Sequence, residues 1–241
     1  MENQILISNG NLPKPPNTIR FVCISDSHSL FFNFPPGDVL LHAGDFTKKG
    51  TSEEVFQFAN YLKTTNYQYK VIISGNHDSP FDTNNFDEIM RKRKNPHPCN
   101  PYAVKSLFND FTYLEDSFVN VFGYTIWGTP WTRQHYKGAF TIKDKYKLIQ
   151  KWQKIPLGID IVLSHSPPNG ILDKTKDNQH LGCSGLAEII KMIKPKVHVF
   201  GHIHEGHGVQ IIDGTTYINA SVCNNRYQAI YSPIVFDLPI I

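Results

Sequence analysis

Short apolar runs closed by Gly, Asp, Ser or His recur along this chain and alternate with stretches of helical periodicity. Runs at 19–25 (IRFVCIS), 38–43 (DVLLHA), 71–74, 118–121, 124–128, 159–163 and 197–200 (VHVF) predict strands. Between the first of these, residues 52–63 carry Val55, Phe56, Phe58, Ala59 and Leu62 at helical spacing behind a capping Ser52. Residues 141–153 and 184–193 also read as helices, the latter capped by Ser184. Asp213-Gly214 between two apolar runs predicts a hairpin, and 234–238 predicts a last strand. Short buried runs alternating with helices imply an α/β fold, a parallel or mixed sheet covered by helices. The C-terminal hairpins imply a second sheet packed on the first. The stretch 79–109, with Pro80, Pro96, Pro98 and Pro101, predicts an irregular segment that caps the site, and 1–18 a polar N-terminal extension. At 241 residues the chain is expected to form a single domain, 1–241.

Chemistry gathers where the strands end. Asp26-Ser27-His28, Gly44-Asp45, Gly75-Asn76-His77-Asp78, Ser164-His165 and Gly201-His202-Ile203-His204 each follow an apolar run directly. Ligands of open α/β sheets bind outside the carboxyl ends of the strands, so side chains distant in sequence converge there. Asp26, His28, Asp45, Asn76, His165, His202 and His204 offer oxygen and imidazole ligands without a thiolate. That set suits Mn, Fe or Zn and is too rich in imidazole for Mg or Ca. Seven ligands are too many for one ion and fit two ions about 3.5–4 Å apart that share a bridge. Asp45 is the natural bridge, with Asp26 and His28 completing one site and Asn76 the other. Gly44, Gly75 and Gly201 stand where the chain turns sharply, positions that favour positive φ. His77 is left beside Asn76, free to meet substrate.

In order and spacing these motifs resemble the DxH…GD…GNH(D/E)…H…GHxH pattern of the calcineurin-like metallophosphoesterase superfamily, complete from Asp26 to His204. The resemblance implies a two-sheet β-sandwich flanked by helices, with a dinuclear metal site at the strand C-terminal ends. It implies that Asp26, His28, Asp45 and His204 hold one metal, and that Asp45, Asn76, His165 and His202 hold the other. It makes His77 the group that protonates the leaving group or stabilises the transition state, with Asp78 orienting it. SDSHS, AGDFT, IWGTPW at 126–131, SHSPP and GHIHEGHG are similar to the metallophosphoesterase-domain-containing branch. Ser27, Asp78 and Ser166 stand where Thr, Glu and Gly are common in that branch.

The expected activity is hydrolysis of a small phosphodiester, such as a cyclic nucleotide, by a hydroxide bridging two metal ions. A Ser/Thr protein phosphatase or phosphomonoesterase is the enzymatic alternative. A non-catalytic metal-binding scaffold is the other, and the complete ligand set weighs against it. A net charge of +3 gives no case for a nucleic-acid polymer or a membrane surface as partner. Four cysteines without CxxC spacing read as reduced thiols, and with no targeting or spanning segment the expected location is cytoplasmic. Trp127 is expected in the core, while Trp131 and Tyr136 are candidates for stacking on a base. His42 and His198 read as core groups. His97, His135, His180 and His207 read as surface groups, and His207 is close enough to the last motif to line a pocket. The basic run at 91–94 reads as a solvated helix end.

Overall fold

Two six-stranded sheets lie face to face between two layers of helices. The first has the order β1 (Leu6–Ser8), β14 (Ile234–Pro239), β2 (Thr18–Ile24), β3 (Val39–Ala43), β4 (Tyr69–Ile73), β5 (Thr112–Tyr113). The second runs β12 (Gly208–Ile212), β13 (Thr215–Asn219), β11 (Val197–Phe200), β10 (Ile161–Ser164), β7 (Tyr124–Thr129), β6 (Ser117–Val121). The computed structural model describes residues 5–8, 10, 12–134 and 137–241, so the expectations for His135 and Tyr136 lie outside the described residues.

Continuous apolar strands arise because both faces of each sheet are covered. Phe21, Cys23, Leu41, Val71 and Ile73 point between the sheets, against Ile126, Ile161, Leu163, Val197 and Ile218. Their neighbours Val22, Ile24, Leu40 and Ile72 face outward onto helix α1 (Ser52–Thr64), and Val162 and Phe200 face helices α4 (Lys145–Trp152) and α5 (Ser184–Ile193). Strands β2 to β5 are parallel, as are β7, β10, β11 and β13, so the carboxyl ends within each set share one edge.

The second sheet draws on the middle of the chain as well as the C-terminal hairpin, while β14 returns to the first sheet. That hairpin turns through Asp213 (φ 49°) and Gly214 (φ 85°), both left-handed, as a two-residue turn between twisted strands requires. Part of the N-terminal extension is itself a strand, β1, paired with β14.

Helix ends differ from expectation by a residue or more. Thr51, not Ser52, caps α1 and forms a reciprocal capping box with Glu54, and Phe56 is 49% exposed. Cys183 precedes α5 without a side-chain cap. Thr141–Ile142 pairs as a strand, and Asp144 then caps α4.

The stretch 79–109 is irregular only in part, chiefly over 93–100. It forms a short 3₁₀ turn and helices α2 (Phe86–Lys92) and α3 (Pro101–Ser106), whose Phe86, Ile89, Met90 and Val104 join the core under the first sheet. Prolines open the turn and α3 at helix-compatible positions. The basic run does end α2, with Arg93 bonded to the Lys49 carbonyl. Trp127 is buried as expected. Trp131 donates to Asp116 and lies under the Lys151 ammonium, which occupies a face that stacking would need.

Phe46, Phe58, Phe81 and Phe108 form one aromatic knot, with Phe46 and Phe58 stacked at 4.8 Å. Phe46 follows Asp45 and Phe81 lies three residues after Asp78, so the knot anchors both loops. Phe58→Ala is expected to cost about 3–5 kcal/mol in urea unfolding. A loss below about 1 kcal/mol would show that the knot carries little of the core's stability.

Candidate metal centre

Five strands deliver the motif residues to one place. β2, β3 and β4 lead to Asp26, Asp45 and Asn76, and β10 and β11 of the facing sheet lead to His165 and His202. Asp26 (φ 55°), His28 (φ 45°), Asp45 (φ 56°) and His202 (φ 68°) all take left-handed backbone conformations. Such strain persists only where surrounding contacts hold it, and it clusters at functional sites. Of the three glycines, only Gly44 has the positive φ expected, at 95°. Gly75 and Gly201 are instead required by space: a Cβ at Gly75 would lie 2.3 Å from Asp45 Oδ1, and one at Gly201 2.1 Å from Asp26 Oδ2.

The imidazoles share one orientation. Nδ1 of His28 donates to the Thr47 carbonyl (3.2 Å), that of His165 to Ala43 (2.9 Å), that of His204 to Asn224 (2.9 Å) and that of His77 to Lys48 (2.7 Å). A carbonyl can only accept, so each Nδ1 carries the proton and each Nε2 turns inward. There His28 Nε2 faces His204 Nε2 at 3.2 Å, and His165 Nε2 faces Asn76 Oδ1 at 3.0 Å and Asp45 Oδ2 at 3.4 Å. His204 Nε2 lies 3.3 Å from Asp26 Oδ1. Imidazole nitrogens and carboxylate oxygens converging this closely in a buried site fit a cation between them. Among the described residues three sets of atoms are close enough to grip one: Asp26, His28 and His204; Asp45, His165 and His202; and His28, Asp45 and His77. Asp45 and His28 each belong to two of the three, and of these Asp45 alone has two oxygens to offer.

Electrostatics record the same crowding. Burial pushes Asp26 and Asp45 up, but the hydrogen bond to His204 and the surrounding histidine charges hold Asp26 well below the carboxylate range. His165, His77 and His28 do the same for Asp45. Against the pull of burial, Asp45 raises His165 to about 9, and the bond to Asp26 raises His204 to about 9. Burial dominates elsewhere, lowering His28 to about 4 and His202 to about 3.

Asp78 does not orient His77. Its Oδ2 accepts from the backbone N–H of Asp45 and Gly75, both at 2.8 Å, and its Oδ1 from Thr47 N and Thr47 Oγ1. It therefore clasps the loops after β3 and β4 together, and the Lys48 carbonyl fixes the His77 ring. Ser221, whose hydroxyl donates to Asp26 Oδ2 at 2.6 Å, and Asn224, whose carbonyl holds His204, complete the supports. Both follow a buried strand at a site-facing edge, but a serine and a backbone carbonyl carry no motif. His42 accepts from Gly44 N and pairs with Ser27 beneath the cluster, and His198 bonds Ser164. His207 stacks on Tyr231.

A family model described as calcineurin-like phosphoesterase matches residues 19–206. The chain is 43% identical over 238 residues to metallophosphoesterase domain-containing protein 1 of Homo sapiens and to that of Mus musculus, covering 94% of this chain and 73% of each relative. A crystal structure from Thermus thermophilus superposes with a TM-score of 0.53 at 13% identity, over 84% of this chain and 88% of that one, a likeness of fold alone.

Asp78→Asn removes one of two acceptor oxygens and sets an amide against an N–H. It is expected to cost about 2–3 kcal/mol in urea unfolding. A variant of unchanged stability would contradict the clasp.

Proposed function

We propose, from the premise that the chain belongs to the calcineurin-like phosphoesterase family and is a metal-dependent phosphoesterase, that it hydrolyses a small phosphodiester, such as a nucleotide, at this centre. The reading rests on the shared direction of the imidazoles, which give their Nδ1 protons to backbone carbonyls and turn Nε2 toward two buried carboxylates. Asp26, His28, Asp45 and His204 would hold one ion, and Asp45, Asn76, His165 and His202 the other. Oxygen and imidazole donors without a thiolate fit Mn, Fe or Zn. Bound there, the ions supply the Lewis acidity that makes water nucleophilic near neutral pH and offsets charge on the phosphoryl oxygens.

His77 supplies the proton. Its Nδ1 is committed to Lys48, so the ring would donate as an imidazolium, giving up the proton of Nε2, 3.9 Å from Asp45 Oδ2. Its side chain is 28% exposed, whereas that of His165 is fully buried, so it faces arriving substrate. Giving up that proton to a departing alkoxide leaves the bond to Lys48 intact, and the ring need not turn. Asp78 acts on the loops and touches no substrate. Free thiols at Cys23, Cys99, Cys183 and Cys223 support a reducing compartment such as the cytoplasm. Among the described residues no helix is long and apolar enough to cross a membrane. The core shared by both sheets supports reading the chain as one domain.

With manganese added, bis-p-nitrophenyl phosphate is expected to be a better substrate than p-nitrophenyl phosphate, and His77→Ala to lose about 10²–10⁴-fold in rate while keeping its metal. Preference for the monoester would replace the diester reading. Loss of metal from His77→Ala would make the ring a ligand instead.

Metal loading is also expected to release protons. At pH 7 the metal-free His165 and His204 are protonated, since both titrate near 9, and a ligand needs the lone pair. Loading at pH 7 therefore displaces about two protons from these rings, apart from any given up by a metal-bound water, and apparent affinity rises with pH up to about 9. Calorimetry in buffers of different ionisation enthalpy measures the number. Release of none would contradict the assignment of these two rings.

A further inference from the structure

The turn after β13 carries an aromatic ring against the cluster. Cys223 and Ala229 form an antiparallel bridge, and Asn224 builds the turn between them. Its side-chain oxygen accepts from Arg226 N at 2.9 Å and Gln228 N at 3.1 Å, and its carbonyl from Tyr227 N at 2.9 Å. The same carbonyl holds His204. At the tip Tyr227 has φ 59°, a conformation that a bulky residue keeps only under constraint. Its ring packs 4.7 Å from His28 at 88°, 5.9 Å from His204 and 6.1 Å from His77.

A second segment meets it there. The ammonium of Lys48 lies 4.9 Å from the centre of the Tyr227 ring. Lys48 is exposed, and among the described residues no carboxylate lies within 4.0 Å of that ammonium. The carbonyl of the same residue fixes His77. The ring that packs on His28, His204 and His77 therefore also carries a cation, from the residue whose carbonyl fixes the proton donor. The hold is weak, because a tyrosine face attracts an ammonium less than an anionic oxygen does. Lys48 can leave the ring for substrate without disturbing its own carbonyl.

We propose that Lys48, resting on Tyr227, is a specificity residue that recognises a second anionic group on the leaving-group side of the ester. The inference rests on the phosphoesterase reading with His77 as donor, since whatever flanks His77 on the open side meets the departing alcohol. It narrows the substrate class to phosphodiesters whose leaving alcohol carries a carboxylate or a further phosphate. Tyr227 is a positioning residue that keeps the ammonium beside His77.

The test compares phenyl 4-carboxyphenyl phosphate with its neutral analogue, phenyl 4-carbamoylphenyl phosphate, on the metal-loaded full chain. The wild type is expected to favour the carboxylate by about tenfold or more in kcat/KM, expressed mainly in KM. Lys48→Met should bring the ratio near one. Tyr227→Phe should preserve the preference and Tyr227→Leu weaken it, because a ring is needed and a hydroxyl is not. A preference that survives Lys48→Met, or equal loss on both esters in that variant, overturns the proposal. Turnover of both esters by the wild type without preference overturns the proposal alone. Failure of the two-metal wild type to cleave either overturns the phosphoesterase reading together with it.

Discussion

Four backbone carbonyls, those of Ala43, Thr47, Lys48 and Asn224, decide the character of this molecule, because each accepts a hydrogen bond from the Nδ1–H of a histidine at the cluster. That bond fixes the tautomer and the tilt of each ring, and it aims Nε2 at Asp26 and Asp45. Buried carboxylates and imidazole lone pairs would otherwise be costly neighbours. Without an ion the centre relieves that cost by holding protons on His165 and His204. A divalent cation would do so more completely, and the rest of the fold holds the frame for it.

The frame depends on packing from both sides. Parallel strands bring loops distant in sequence to one edge, and the core between the sheets sets the distance between the two halves of the ligand set. Beneath the first sheet the phenylalanine knot anchors the loops after Asp45 and Asp78, and the Asp78 carboxylate binds those loops through four donors. Burial and the nearby charge of Asp45 raise Asp78 to about 7, against the pull of those donors. Stability and chemistry are therefore joined in the same loops. Left-handed backbone at Asp26, His28, Asp45 and His202 is affordable because their neighbours are so tightly held.

The strands were legible in the sequence because burial on both faces leaves an unbroken apolar run, as in Phe21–Ile24 and Val197–Phe200. That the candidate residues gather in one place was legible because most of them follow such a run. Other features depend on contacts that no local pattern encodes. Asp78 beside His77 reads as its orienting partner, yet the carboxylate turns toward the backbone of another loop. Gly75 and Gly201 read as turn residues, yet it is the approach of Asp45 and Asp26 that leaves them no room for a side chain. Pro96 and Pro98 do lie in loop, but Pro80 and Pro101 stand in a first helical turn, where proline is compatible with helix. Lys48 and Tyr227 lie in unremarkable polar sequence and meet only through the fold.

Anomalous diffraction from a crystal loaded with manganese would locate the ions themselves. Two peaks are expected, one enclosed by Asp26, His28 and His204, the other by Asn76, His165 and His202, with Asp45 reaching both. A single peak, or two that do not share Asp45, would contradict that assignment.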